Sequence, residues 1–222
     1  MKKLILSFIA ILGLAGGAFA QSEILNNPDN RAYFGIRVSP EVTCPGNINM
    51  SPLSIDAFNN GGGLEFGGIY NVPVIANFYL EPGVKLYYNA YGLKKEFVKA
   101  LEDDVPFKSI SIRKFGMRIP VLAGYHFDFT PEWKVYAYTG PEFDIAFSGK
   151  EHYKGSNFTA SVNLYGDEGE MHRFDMSWII GGGVSYKSFY FGISGGIGMC
   201  DMAKDEPSFH ENRVTFSLGV NF

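Results

Sequence analysis

Apolar and polar residues alternate one by one through most of this chain, and a period of two marks a strand with two unlike faces. The closing stretch, "NRVTFSLGVNF", sets Val214, Phe216, Leu218, Val220 and Phe222 on one face. Arg213, Thr215, Ser217, Gly219 and Asn221 take the other. The same pattern recurs in "YFGIRVS", "LEFGGIY", "FYLEPGVKLYY", "FGMRIPVLAGYHF", "WKVYAYTGPEFDIAF", "FDMSWIIGGGVSY" and "FYFGISGGIGM". A sheet of about eight strands can close into a barrel.

The links between these segments alternate in length. "PEVTCPGNINMSPLSIDAFNN" is long, the link around Pro73 is short, "AYGLKKEFVKALEDDVP" is long and "DFTPE" is short. The link around "SGKEHYKGSN" is long, "KS" is a tight turn, and "CDMAKDEPSFHE" is long again. Such sorting is expected of a barrel with one rim in the periplasm and the other outside the cell. Leu93, Phe97 and Leu101 have helical spacing, which leaves a short surface helix and extended strands both open for the second long link. In the third, "ASVNLYG" is expected to pair back onto "EMHRFD" as a hairpin.

Alternation alone does not separate a membrane barrel from a soluble one, but the occupants of the polar face do. They include Gly35, Gly67, Gly83, Gly116, Gly124, Gly140, Gly183, Gly192, Gly196 and Gly219. A solvated convex surface would carry Lys, Glu and Thr, whereas glycine in a strand marks scarce space. The glycine face is therefore concave, and the bulky apolar face is convex and needs lipid. Charges agree with this assignment. Arg37, Lys85, Lys114, Arg118 and Arg213 lie on the concave face with Glu65, Glu81, Glu142, Asp144 and Asp175, forming an expected interior charge network. Tyr70, Tyr125, Trp133, Tyr186 and Phe222 fall near the short-turn ends, where an aromatic girdle belongs.

The start of the chain points to export. Lys2 and Lys3 precede an apolar run from Leu4 to Leu14, followed by Ala18-Phe19-Ala20. This is the layout of a secretory signal peptide over residues 1–20, with the barrel domain over 21–222. Beyond it no apolar run reaches the length of a membrane helix. Aromatic residues make up 16% of the 222 residues and charged residues only 19%, against an ordinary quarter charged. A net charge of −4 gives no footprint for nucleic acid. The expectation is an all-β protein: an eight-stranded antiparallel transmembrane β-barrel with four long extracellular loops and short periplasmic turns.

"KFGMRIPVLAGYHF", a short turn and "KVYAYTGPEFDIAF" resemble the PorT-type outer-membrane β-barrel family of Bacteroidetes, small barrels of the OmpA/OmpX kind. The resemblance lies in Ile119-Pro120-Val121-Leu122, in Gly140-Pro141 across the turn, and in the "GGGVSY"/"FYFGISGG" hairpin. It implies outer-membrane residence and, more loosely, a role in secretion or surface assembly. Phe216, Leu218, Val220 and Phe222 resemble the C-terminal insertion signal of bacterial outer-membrane barrels, which implies the barrel assembly machinery as a partner beside membrane lipid. Pro120 and Pro141, inside strands, are expected to mark bulges.

Three functions are compatible with this reading: a structural or interaction barrel, a narrow porin-like channel, and a lipid-modifying enzyme. His152, His172 and His210 lie in long links, but none sits in a recognisable catalytic motif, and His126 belongs near the periplasmic rim. No enzyme activity, cofactor or metal is therefore expected. An eight-stranded lumen is about wide enough for side chains to fill, so the interior charges read as a plug. A protein partner is expected at the long loops, which carry Phe58, Leu101, Tyr153, Phe158 and Phe209. Cys44 and Cys200 are expected to form a disulfide, because barrel closure brings the rims of the first and seventh strands within about 10 Å and loop residues before Cys44 could cover the gap.

Overall fold

The computed structural model describes residues 31–50, 52–100, 107–156, 158–166, 169–204 and 208–222. The expected signal peptide and Leu101 lie outside these residues. The strands are β1 (Tyr33–Pro45), β2 (Ile48–Met50), β3 (Leu53–Ile55), β4 (Gly61–Ile75), β5 (Phe78–Gly92), β6 (Phe107–Asp128), β7 (Trp133–Gly155), β8 (Thr159–Asn163), β9 (Phe174–Tyr186), β10 (Phe189–Gly198) and β11 (Glu211–Asn221). One helix, α1 (Lys95–Ala100), sits in the second long link.

All but β2 and β3 join one antiparallel sheet in the order β6-β5-β4-β1-β11-β10-β9-β7-β8, and a further pairing of β6 with β7 closes it. The ring runs from β1 through β4, β5, β6, β7, β9, β10 and β11 back to β1. Its seam is the β1–β11 ladder, from Gly35 opposite Asn221 to Pro45 opposite Glu211. The amide of Phe222 donates to the carbonyl of Phe34 at 2.8 Å, so pairing persists to the last residue. Short turns at Ala76 and Lys187 take positive φ values of 48° and 53°, as tight hairpins require.

Side chains sort cleanly by face. On β11, Phe216 is 48% exposed and Leu218 50%, while Ser217 between them is 8% exposed. The concave glycines make room for inward-pointing rings. A Cβ on Gly124 would stand 2.3 Å from the Tyr79 ring, and one on Gly183 or Gly192 would stand 2.5 Å from the Tyr190 hydroxyl.

Several details differ from the sequence reading. Cys44 and Cys200 are free thiols. β1 runs on through Cys44, which pairs with Asn212, so the slack that a bridge needed is held in a ladder. β11 lies between β1 and β10, and two strand spacings of roughly 10 Å exceed the reach of a disulfide. The first short turn falls at Ala76–Asn77, because β4 continues through Pro73 with a register shift between Pro73 and Ile75. Pro120 and Pro141 break individual ladder bonds without shifting register; the β6–β7 shifts occur at Phe107/Ser109 and Phe115/Gly116. β8 pairs with Lys150–Lys154 of β7, and "EMHRFD" meets the preceding segment through Met171, whose amide donates to Leu164 at 3.0 Å.

Candidate lumen plug and outer cap

The ring's interior is filled in three tiers. At the short-turn end, Tyr79, Tyr136 and Tyr190 pack together with Tyr138 against them. Tyr136 stands edge-on to Tyr79 at 5.9 Å and to Tyr190 at 5.8 Å. Arg37 lies over the Tyr190 ring at 4.1 Å and donates to Asn221 at 2.7 Å. His126 borders this tier, with its Nδ1 at 3.1 Å from Asp128.

The middle tier is ionic and centres on Arg118. Its guanidinium pairs with Glu41 and Glu65 and reaches Asp144 at 3.1 Å, with Glu142 at 3.9 Å. The Tyr87 ring lies 4.0 Å below its charge, and the Tyr87 hydroxyl donates to Asp144 at 2.8 Å. Lys85 joins Glu65 at 3.1 Å and faces Glu142 at 3.9 Å. Arg213 pairs with Glu142, and Lys114 with Glu211. Glu81 accepts from Asn71 at 3.3 Å, and Asp175 from the Met176 amide at 2.7 Å. A chain of fixed opposite charges satisfies its members only while intact, since each desolvated ion relies on its neighbours. A cavity of about 30 Å³ lies between Arg37, Glu81, Lys85 and Arg213, room for a single water.

The upper tier is apolar. Tyr91, Ile112, Ala146, Leu164, Tyr165, Met171, Met202 and Phe209 form one buried cluster with Phe58 against it. Phe58 meets Phe209 at 5.2 Å and Tyr91 at 5.5 Å. Backbone bonds tie all four long links together above it. Asn49 and Ser208 exchange amide bonds at 3.0 and 3.1 Å, Lys94 donates to Ala57 at 2.8 Å, and His172 donates to Met202 at 2.8 Å. Of the loop aromatics expected to meet a partner, Phe58 and Phe209 face this cluster, whereas Phe158 is exposed. His210 holds the Cys200 carbonyl at 2.8 Å. Burial raises the Glu151 carboxyl above its ordinary value, partly offset by a hydrogen bond from Tyr153.

All ten charges expected inside belong to these tiers, but two central carboxylates were not foreseen. Glu41 and Glu211 fall in segments that read as loops. The signal for Glu41 was present, since Arg37, Ser39, Glu41 and Thr43 continue the inward alternation across Pro40.

The chain matches the family described as "Outer membrane protein beta-barrel domain" over residues 19–203. A search of curated protein sequences finds no match. Among solved structures, Neisserial surface protein A aligns over 87% of this chain and 100% of its own, at 12% identity and a TM-score of 0.44. Ail, the attachment invasion locus protein of Yersinia pestis, aligns over 86% and 99% at 13% identity and a TM-score of 0.41. The N-terminal β-barrel domain of Pseudomonas aeruginosa OprF aligns over 86% and 100% at 13% identity and a TM-score of 0.29. A sheet closed on itself with its apolar face outward, and a family match through most of its length, together place this chain in the outer membrane protein beta-barrel domain family, as a protein of the outer membrane.

Proposed function

We propose that this protein is a small, sealed outer-membrane barrel that works by presenting its loop cap to a partner, with a non-enzymatic role in secretion or surface assembly. The observation that carries the reading is the filled interior. The ionic tier around Arg118 and the apolar tier around Tyr91 and Phe209 lie one above the other, and the cavity beside the ionic tier is only about 30 Å³. A lumen so occupied suits a rigid scaffold better than a conduit. The cap is also cross-tied, which lets four links act as one surface.

In this reading the eight strands of the ring span the membrane. The long links face outward and the turns at Ala76 and Lys187 face the periplasm. Residues 1–20 are removed as a signal peptide, and Phe216, Leu218, Val220 and Phe222 present the insertion signal to the assembly machinery. Membership of the PorT-type group of Bacteroidetes belongs to the same proposal and rests on the Ile119–Leu122 and Gly140-Pro141 motifs.

Planar-bilayer recording tests the sealed lumen, and photo-crosslinkers at Asn60 and Lys94 in outer membranes test the cap. The reading predicts no steady conductance and a discrete crosslinked partner from cap positions, with none from Lys187. Steady single-channel conductance would favour the narrow channel instead.

A further inference from the structure

The two rims of the barrel treat their basic residues differently. At the short-turn rim, Lys134 faces Asp128 and Lys187 faces Glu132, each at 3.5 Å. At the other rim, Arg113 of β6 stands directly opposite Lys150 of β7. Both side chains are exposed, and neither has a carboxylate partner among the described residues. Like charges so placed, with Cβ atoms about 5 Å apart, destabilise a ladder unless an anion lies between them. The next outward positions continue the pattern, with Ser111 opposite His152 and Ser109 opposite Lys154. Glu151 offers no relief, because it pairs with Ile112, which is buried in the interior cluster.

The height of this basic ladder identifies what it meets. Just below it on the outer surface stand Tyr88, Phe115 and Phe147, all exposed, with Phe115 and Phe147 edge-on at 5.8 Å. At the far end of the same strands are Phe127 and Trp133, also exposed. From Phe115 to Phe127 the strand covers on the order of 40 Å, or about 30 Å along the barrel axis at usual tilt. That matches an apolar band with its flanking aromatic girdles. Arg113 and Lys150 therefore sit at the level of the lipid headgroups on the long-link side, with hydroxyls and further bases above them. Paired cations with neighbouring O–H donors are the chemistry that holds a phosphate monoester.

We infer that the outer surface of β6 and β7 binds an outer-leaflet lipid whose headgroup carries a phosphate monoester, the phosphate held between Arg113 and Lys150. This rests on the reading that the ring spans the membrane with its long links outward. It adds a specific lipid to a surface otherwise in contact with bulk acyl chains.

Native mass spectrometry of the full-length protein, released from phosphatidylcholine nanodiscs loaded with bisphosphorylated lipid A, tests the inference. Retained lipid A should fall about tenfold in Arg113→Gln/Lys150→Gln and stay unchanged in Lys134→Gln/Lys187→Gln at the opposite rim. Lys154→Gln, well clear of the lipid band, should give a smaller loss of the same sign even if the double variant folds poorly. Lipid A stripped of its phosphates should not be retained, and millimolar inorganic phosphate should not displace the bound lipid. Equal retention by the double variant or of the stripped lipid would overturn the site, and so would equal loss at the opposite rim. Displacement by inorganic phosphate would overturn the lipid as its ligand. The heat-induced shift in gel migration that marks a folded barrel is read in the same samples. Its absence from the unaltered protein would remove the membrane barrel itself, which separates that failure from failure of the site.

Discussion

Ile36, Arg37 and Val38 are consecutive residues of β1, yet they meet opposite surroundings. The two apolar side chains are about two-fifths exposed, while the arginine between them is 4% exposed. In a water-soluble sheet this order would be reversed, because apolar area gains by leaving water and an ion loses by it. The contrast teaches that each face has its own solvent. Lipid takes the place of water outside, and a closed lattice of opposite charges takes it inside. The glycines follow from the same division: they lie where inward rings need depth, as Gly124 does beneath Tyr79.

The sharpest way to break this contrast is to remove the ion at its centre. Arg118→Leu leaves Glu41 buried without its cation and Glu65 relying on Lys85, which should lower stability by about 3–5 kcal/mol. Urea unfolding in lipid vesicles measures it, and adding Glu41→Gln and Glu65→Gln should restore part of the loss. An unchanged midpoint for the single variant would mean that the lattice is not holding the lumen together. The reverse exchange puts an ion on the outer face. Ile193, half exposed on β10, replaced by Arg should cost about 2–4 kcal/mol near the midplane, read as reduced folding into vesicles. Gly124→Ala probes the depth of the inner face. A methyl there collides with the Tyr79 ring and stands 2.8 Å from the Ala137 carbonyl oxygen. It should destabilise by about 1–3 kcal/mol through overpacking, and the companion change Tyr79→Leu should remove the part due to the ring and leave the part due to the backbone.

The two faces were legible in the sequence because a strand's period of two assigns every residue once one face is known. The ring order followed from the alternation of link lengths. Strand ends were less legible, and the misses share a cause. Pro40 opens the segment that reads as the first long link and Pro45 lies within it, yet β1 carries both, and Pro40 still pairs with Leu64 on one side while interrupting only the ladder to β11. Glu41 was lost to the site for this reason. Glu211 was lost because β11 begins inside the segment that reads as the last long link, where alternation alone does not tell a strand from a polar link. The expected disulfide failed on the same point, since it needed loop slack that the extended β1 does not have. The apolar cap was illegible for a different reason: Phe58, Tyr165, Met202 and Phe209 come from separate links with no common spacing, and only the closed ring brings them together.

The most direct test of the inverted faces is nitroxide scanning along β11 in lipid vesicles, with Cys44 and Cys200 replaced by Ser. Labels at positions 214, 216 and 218 replace Val214, Phe216 and Leu218, all exposed, and labels at 215 and 217 replace the buried Thr215 and Ser217. Collisions with dissolved oxygen, which concentrates in lipid, should be high at the three outward positions and low at the two inward ones. A polar nickel complex should reach none of the five. Oxygen accessibility peaking at 215 and 217, or nickel access along one whole face, would contradict a barrel with lipid outside and a packed ionic lattice within.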